Sequence, residues 1–133
     1  MNYINHNKRV YLLNYHTIWC PKYRRSILVG QLKIDLENII HDTIKEKRGD
    51  IIALEVMPDH VHLSFSLPPD VAPHNAVKLA KGRSSNLLRK RYPHLLKMPC
   101  LWTRSYFIST TGMVSTETVK QYIEKQWDKA KKK

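Results

Sequence analysis

The sequence predicts an α+β fold: a ferredoxin-like antiparallel sheet, of the kind also found in RNA-recognition modules, with helices on one face and an added C-terminal helix. Strand-like and helix-like runs follow one another in the order β-α-β-β-α-β plus a final helix. Two short apolar runs flank the turn pair Pro58-Asp59, which indicates an antiparallel hairpin. Together these features predict a sheet with one face left available for a partner.

The first half of the chain contains a strand and a helix. Residues 10–20 are rich in β-prone side chains and predict a first strand that Pro21 closes. From about residue 28 to residue 48, apolar residues recur at helical spacing until Gly49, which predicts the first helix. The apolar runs 51–57 and 61–67 form the predicted hairpin.

The second half repeats the alternation. Residues 75–91 predict a second helix that ends before Pro93, and residues 105–111 predict a fourth strand followed by a turn at Gly112. A third helix is expected to begin at Ser115, an N-cap residue, with Val114 and Val119 placed as a hydrophobic staple.

Size and composition are those of one globular domain spanning residues 1–133. No apolar run approaches the roughly 20 residues that span a bilayer, and the N-terminus lacks a secretory apolar core, so we expect a cytoplasmic protein. Cys20 and Cys100 lie far apart and are interpreted as reduced thiols, although a zinc site built from His16, Cys20 and Cys100 is an alternative.

Charge indicates the class of partner. Twenty-three Lys and Arg residues against eleven Asp and Glu residues give a net charge of +12, which favours a polyanion through counterion release. A membrane surface is a less favoured partner, because the sequence does not predict a basic amphipathic helix with an exposed apolar face. The second helix carries six cations, and no acid occurs from residue 71 to residue 101, so it is interpreted as facing phosphates rather than only solvent.

The segment Asp59-His60-Val61-His62-Leu63 carries the first candidate site. Side chains alternate along a strand, so the His60 and His62 rings project from one face, roughly 7 Å apart at the backbone. That spacing lets them share a divalent metal. By itself the pair is a weak indication, because histidine is also an ordinary half-buried residue.

The last helix supplies a second pair. Tyr122 and Gln126 lie one turn apart on the stripe formed by Val119, Tyr122, Ile123, Gln126, Trp127 and Ala130. They offer a phenol nucleophile and an amide oxygen that could ligate a metal. The alternative is that the Tyr122 ring packs in the core while Gln126 caps a backbone group.

Four ordered blocks resemble the single-tyrosine HUH transposases of the insertion-sequence 200/605 type. They are residues 16–25 (HTIWCPKYRR), 57–62 (MPDHVH), 81–89 (KGRSSNLLR) and 105–112 (SYFISTTG), and the resemblance extends from about residue 9 to residue 127. It implies a homodimeric DNA transposase that cuts and rejoins single-stranded DNA at the hairpin-marked ends of a mobile element. Met113, where the family often has a second glycine, and the polar residues Ser64 and Ser66 depart from its pattern.

The resemblance also assigns roles. His60 and His62 match the metal-binding histidines, Tyr122 the nucleophile that forms a 5′-phosphotyrosine, and Gln126 the position that completes a Mg²⁺ or Mn²⁺ site. It implies further that the tyrosine helix acts in trans within the dimer, with Gly112 as the pivot. DNA contacts are expected from two basic segments, residues 22–25 and 78–91. Tyr23 is the candidate stacking residue, and Trp102 is either a stacking or a core residue. The candidate DNA-binding residues are Lys22, Tyr23, Arg24, Arg25, Lys78, Lys81, Arg83 and Arg89.

Two other functions are compatible with the sequence. A non-catalytic RNA-recognition-like module would share the fold and the charge, and it would need paired aromatic residues on the central strands, where only Phe65 fits. A domesticated relative that nicks genomic hairpin repeats would share the chemistry and differ in the DNA it meets.

Overall fold

The computed structural model describes residues 4–6, 9–11, 13–110 and 121–125. Its α-helices are α1 (Gly30–Glu46) and α2 (Pro73–Arg91), and residues 121–125 are also α-helical; Lys22–Arg24 and Pro93–Lys97 form short 3-10 helices. Its strands are β1 (Ile4–His6), β2 (Arg9–Tyr11), β3 (Asn14–Trp19), β4 (Asp50–Met57), β5 (His60–Ser66) and β6 (Phe107–Ser109). No helix in these ranges is long and apolar enough to cross a membrane.

The predicted α+β fold is confirmed. Strands β4, β5, β3 and β6 form one antiparallel sheet in that spatial order. The first and third of its strands in the chain therefore lie side by side at the centre, as in a ferredoxin-like sheet. Strands β1 and β2 pair only with each other in the described part of the chain.

The first strand is shorter than the sequence predicts. Residues 10–20 were expected to form one strand, but β3 begins at Asn14, and residues 9–11 belong to the separate β1–β2 ladder. The reason lies in the neighbouring strand. Asn14 pairs with Ser66, the last residue of β5, and Pro68 soon follows without an N–H to extend the ladder.

Helix ends also differ by a few residues from prediction. Helix α1 begins at Gly30 instead of about residue 28, because Val29 is extended and the Leu28 N–H donates to the Pro58 carbonyl at 3.0 Å. It ends before Gly49, where a Cβ atom would meet the Ser66 carbonyl oxygen at 2.5 Å. Helix α2 begins two residues early at Pro73, a residue suited to the first helical turn.

The fourth strand is shorter than the predicted range of residues 105–111, and the predictions for residues 112–119 cannot be compared with the structure. The fourth strand spans only Phe107–Ser109. The predicted cap at Ser115, the staple of Val114 and Val119, the pivot at Gly112 and the residue Met113 lie outside the described residues.

The core lies between one face of the sheet and helices α1 and α2. On the sheet side it contains Tyr15, Trp19, Val61, Leu63 and Phe65, with Val56 from β4. The helices contribute a second set of buried residues: Leu32, Leu36, Ile40, Ile44, Ala76, Val77 and Leu88. We call this side of the sheet the helix-covered face. Helices α1 and α2 do not pack on the opposite face.

Candidate functional site

The opposite side of the sheet, which we call the histidine face, is made of the intervening residues of the same strands. Across it, Ile18 pairs with His62 on one side and with Phe107 on the other, while His16 pairs with Ser64. Directly opposed residues project from the same face of a sheet. The histidine face therefore comprises His16, Ile18, His60, His62, Ser64 and Phe107.

His60 is oriented by the residue before it. Its Nδ1 lies 2.9 Å from Oδ1 of Asp59. Burial alone would raise the pKa of Asp59, but hydrogen bonds from Arg24 and His60, with their charges, lower it overall. An ionised carboxylate only accepts hydrogen bonds, so Nδ1 of His60 carries a proton and Nε2 is the nitrogen left for another partner. A carboxylate on one ring nitrogen is the usual support for a histidine that binds metal through the other.

His62 presents a buried nitrogen with no partner. Its Nε2 makes no hydrogen bond to any residue that the structure describes. Burial lowers the pKa of His62, and the nearby His16 and His60 lower it further against the opposing charge of Glu55. The ring is therefore held neutral, which is the form that binds a metal ion.

These two nitrogens fit a metal ion that takes further ligands from elsewhere. Within the described ranges, no group of three His, Cys, Asp or Glu residues could hold a metal. The zinc site considered for His16, Cys20 and Cys100 is therefore wrong: Cys20 is buried, and His16 bonds to Ser64 on the histidine face. Gln126, the third ligand implied by the family resemblance, lies outside the described residues.

Sequence reasoning overlooked the proximity of His16 to the histidine pair. Its ring centroid lies 5.9 Å from that of His62, and its Nδ1 lies 2.6 Å from the Ser64 hydroxyl. The polar Ser64, which departs from the family pattern, thus has a partner across the sheet. The signal was the period-two spacing of Asn14, His16 and Ile18, which places His16 on the same face as the histidine pair once the strands are paired.

Tyr122 lies on the histidine face. Its ring centroid is 6.1 Å from that of Phe107, and its buried hydroxyl has no well-formed hydrogen bond among the described residues. Burial raises the pKa of Tyr122 to about 12, and a polar interaction with Ser105 opposes that rise. Phe107 and His62 flank Ile18 on the two neighbouring strands, so their backbones are about 10 Å apart, two strand spacings. The structure thus brings the phenol and both histidines to one face.

Several predicted DNA contacts already have partners within the protein. Arg24 binds Asp59, and Arg83 binds Glu46 through two nitrogens at 2.5 and 2.9 Å. The Lys81 ammonium donates to the Thr103 carbonyl at 2.7 Å and lies near two more carbonyls, and burial lowers its pKa to about 8. Arg89 donates to the Met98 carbonyl at 3.0 Å. Contact of these four side chains with DNA stays a prediction, and in the structure each of them binds another group of the protein.

Other predicted contacts face outward. Lys78 and Arg25 are exposed. The Tyr23 ring is partly exposed, with Nζ of Lys22 5.4 Å and the guanidinium of Arg25 5.9 Å from its centroid. Trp102 is instead a core residue, because it packs edge-on against Trp19 and its Nε1 donates to Ser84 at 2.9 Å.

Comparison with known proteins gives the family. The model of the IS200-like transposases matches residues 9–126. The ISDra2 transposase TnpA of Deinococcus radiodurans is 41% identical over 123 residues, which are 90% of this chain and 88% of that protein. The transposase of the insertion sequence IS200 from Salmonella typhimurium is 28% identical over 88% of this chain and 78% of its own length.

Solved structures agree in fold. A crystal structure of a candidate transposase from Deinococcus radiodurans superposes with a TM-score of 0.84 at 36% identity, covering 92% of this chain and 97% of that chain. A REP-associated tyrosine transposase bound to a REP hairpin shares the fold, with a TM-score of 0.54 at 17% identity over 91% of this chain and 69% of that one. The family match includes every residue of the histidine face, from His16 to Tyr122. The chain belongs to the IS200-like family of transposases.

Proposed function

We propose that the protein cleaves and rejoins single-stranded DNA at the hairpin-marked ends of a mobile element, with Tyr122 as the nucleophile and a divalent metal ion held by His60 and His62. One observation carries the proposal: the hydroxyl of Tyr122 and Nε2 of His62 are both buried on the histidine face without a well-formed hydrogen bond among the described residues. Buried polar atoms are normally paired, and unpaired ones are commonly found at functional sites. A scissile phosphate and its metal ion would supply the missing partners.

The proposed ligands suit Mg²⁺ or Mn²⁺. His60 and His62 offer two imidazole nitrogens, and Gln126 would add an amide oxygen. Mixed nitrogen and oxygen ligands favour Mn²⁺ somewhat over Mg²⁺. When bound, such an ion withdraws charge from a phosphate and orients it for in-line displacement.

Tyr122 would supply the covalent step. Its phenol oxygen bonds to phosphorus, the bond from phosphorus to the 3′ oxygen breaks, and the products are a 5′-phosphotyrosine and a strand with a free 3′-hydroxyl. The phenol loses one proton, and the leaving 3′ oxygen gains one. The ester preserves the energy of the broken bond, so a 3′-hydroxyl can attack it and rejoin DNA without ATP.

Burial makes the proton of this phenol hard to remove. With a pKa of about 12, Tyr122 is almost entirely protonated near neutral pH. A cation beside the scissile phosphate would favour the phenolate and so reverse part of the effect of burial. The phenol therefore needs help with losing its proton, which a cation beside the scissile phosphate would provide.

Hairpin DNA and a second copy of the chain complete the proposal. The net charge of +12 suits a folded strand with a dense phosphate backbone. In the single chain, residues 121–125 pack on their own sheet through Tyr122 and Phe107. In the proposed homodimer, the same helix would reach the histidine face of the partner subunit, giving cleavage in trans.

The competing functions have less support. Phe65, which the RNA-recognition alternative needs on an open surface, is fully buried on the helix-covered face against Tyr15. A nickase acting on genomic repeats would use the same residues. The 41% identity to an insertion-sequence transposase, against 17% to the REP-associated enzyme, favours transposition.

The test is covalent capture. Purified protein with Mn²⁺ is incubated with single-stranded oligonucleotides from the flanks of its own gene, and protein-DNA adducts are resolved on denaturing gels. We expect an adduct with the wild type and none with Tyr122→Phe or His60→Ala. Tyr106→Phe and His41→Ala are matched controls, since they delete a hydroxyl and an imidazole elsewhere, and both should react normally.

Two results would contradict the proposal. One is an adduct that persists in Tyr122→Phe at the wild-type level. The other is tight binding of hairpin DNA with no adduct in any divalent metal.

A further inference from the structure

We propose that Arg24 is a positioning residue that connects the two parts of the site. It fixes His60 through Asp59, and it binds the backbone carbonyl of Ile123, the residue next to Tyr122. This inference rests on the proposed function, because it assigns Arg24 the task of holding the metal-binding side and the nucleophile side of one chain together, in the single-chain arrangement that the tyrosine helix leaves when it acts in trans.

The backbone around Arg24 adopts an uncommon conformation. Tyr23 and Arg24 have φ angles of 60° and 50°, in the left-handed region that non-glycine residues rarely enter. Two hydrogen bonds hold the segment, from the Lys22 N–H to the Leu101 carbonyl and from the Arg24 N–H to the Pro21 carbonyl, each at 2.8 Å. Such strained residues persist where surrounding structure fixes them, and they concentrate at functional sites.

The first connection runs through a carboxylate. Nε of Arg24 lies 2.7 Å from Oδ2 of Asp59, and the other oxygen of Asp59 binds Nδ1 of His60 at 2.9 Å. The three side chains are 25%, 21% and 17% exposed, respectively. Ionic hydrogen bonds that are shielded from water in this way orient their partners more firmly than exposed ones. Asp59 is thus held from both sides, and it orients the His60 ring through Nδ1.

The second connection reaches the tyrosine helix. Nη1 of Arg24 lies 3.4 Å from the Ile123 carbonyl oxygen, although the two residues are 99 positions apart in the chain. A guanidinium is planar and donates in several fixed directions, so one side chain can bind a carboxylate and a carbonyl together. The single ammonium of a lysine cannot reproduce that geometry. Arg24 therefore links the ring that would hold metal to the helix that carries the phenol.

The same contacts explain why Arg24 differs from its neighbour. Asp59 already balances the charge of Arg24, whereas Arg25 is exposed and its guanidinium lies over the Tyr23 ring. We expect Arg25 to contribute to phosphate binding and Arg24 to contribute mainly to the arrangement of the site. The two adjacent arginines thus provide a matched pair for experiment.

The test measures metal affinity and helix docking on the full chain without DNA. Mn²⁺ binding is measured by calorimetry, and amide hydrogen exchange is followed for residues 121–125. In Arg24→Ala we expect Mn²⁺ affinity to fall about 10-fold or more, as for other groups that orient metal-binding histidines, and exchange of the helix to speed up. Arg25→Ala should change neither quantity.

Two further variants separate the connections. Asp59→Asn should weaken Mn²⁺ binding about as much as Arg24→Ala does. The double variant should bind Mn²⁺ no more weakly than the single variant with the lower affinity, because both substitutions act through the same chain of contacts. Arg24→Lys keeps the charge and, if Arg24→Ala fails to fold, takes its place; it should still lose metal affinity and helix protection.

The inference is overturned if Arg24→Ala and Arg24→Lys bind Mn²⁺ and protect residues 121–125 as the wild type does. Failure of the proposed function looks different, because then the wild type binds DNA without forming an adduct. The Mn²⁺ and exchange measurements do not require DNA, so they report on Arg24 in either case.

Discussion

The two faces of the central sheet use alternate residues of the same strands for different purposes. On β5, Val61, Leu63 and Phe65 are fully buried against helices α1 and α2. The residues between them include His60, bound to Asp59, and His62, whose Nε2 is buried without a partner in the described chain. The difference shows that one face of a sheet can stabilise the fold by burying apolar side chains while the other face carries polar side chains.

The largest expected effect comes from the histidine face. His62→Ala should lower the rate of DNA adduct formation by at least about a hundredfold, because it removes a proposed metal ligand. Its midpoint of urea unfolding should change little. Rates are measured on denaturing gels with excess DNA, and a large loss of stability in His62→Ala would break the division between the two faces.

The helix-covered face should respond in the opposite way. Phe65→Ala removes a fully buried ring and should lower the free energy of unfolding by about 3–5 kcal/mol, through lost burial and the cavity left behind. The fraction that remains folded should form adducts at the normal rate. Phe65→Leu, a smaller deletion at the same position, serves as the control and should cost less. Full stability with lost activity would contradict the account.

A smaller effect separates the cations that face solvent from those bound within the fold. Lys78→Ala should weaken binding of hairpin DNA several-fold and reduce the slope of log affinity against log salt by about 1, the value for one phosphate contact. Arg83→Ala should change both less, because Arg83 is occupied by Glu46. Fluorescence anisotropy over a range of salt concentrations measures both quantities, and equal effects would refute the distinction.

The smallest expected effect is a pH dependence of folding. The pKa of His62 is lowered on folding, chiefly by burial, so its stabilising contribution is present above the unfolded value of about 6.5. That contribution is lost as the pH falls through the lower folded value, because the unfolded chain binds the proton first.

The pH effect is tested with a pair of variants. His62→Gln should lose less stability than the wild type between pH 7 and pH 5, whereas the exposed His94→Gln should follow the wild type. Urea unfolding midpoints at the two pH values provide the comparison. A wild-type decline that is unchanged in His62→Gln would show that burial of this ring has no such consequence.

Local patterns predicted most of the fold. Period-two alternation and the Pro58-Asp59 pair gave the β4–β5 hairpin and placed His60 and His62 on one face, and helical spacing gave α1 and α2. The same alternation failed to show that the run of residues 10–20 divides between two ladders, since a strand looks the same whichever partner it pairs with.

What the sequence could not reveal depends on contacts between distant residues. The basic segments predicted DNA contacts at Lys81 and Arg24, but folding points Lys81 at the carbonyls of residues 103–105 and joins Arg24 to Asp59. Composition reports only that such cations exist. Which of them remain available for phosphate is determined by the tertiary structure.

The most direct measurement identifies the side chain that bonds to DNA. The adduct formed with Mn²⁺ is digested with protease and nuclease, and the peptide that carries the nucleotide is sequenced by mass spectrometry. Of the seven tyrosines in the chain, we expect Tyr122 alone to carry the phosphodiester, through its phenol oxygen. A nucleotide attached to any other residue would contradict the assignment of the histidine face as the active site.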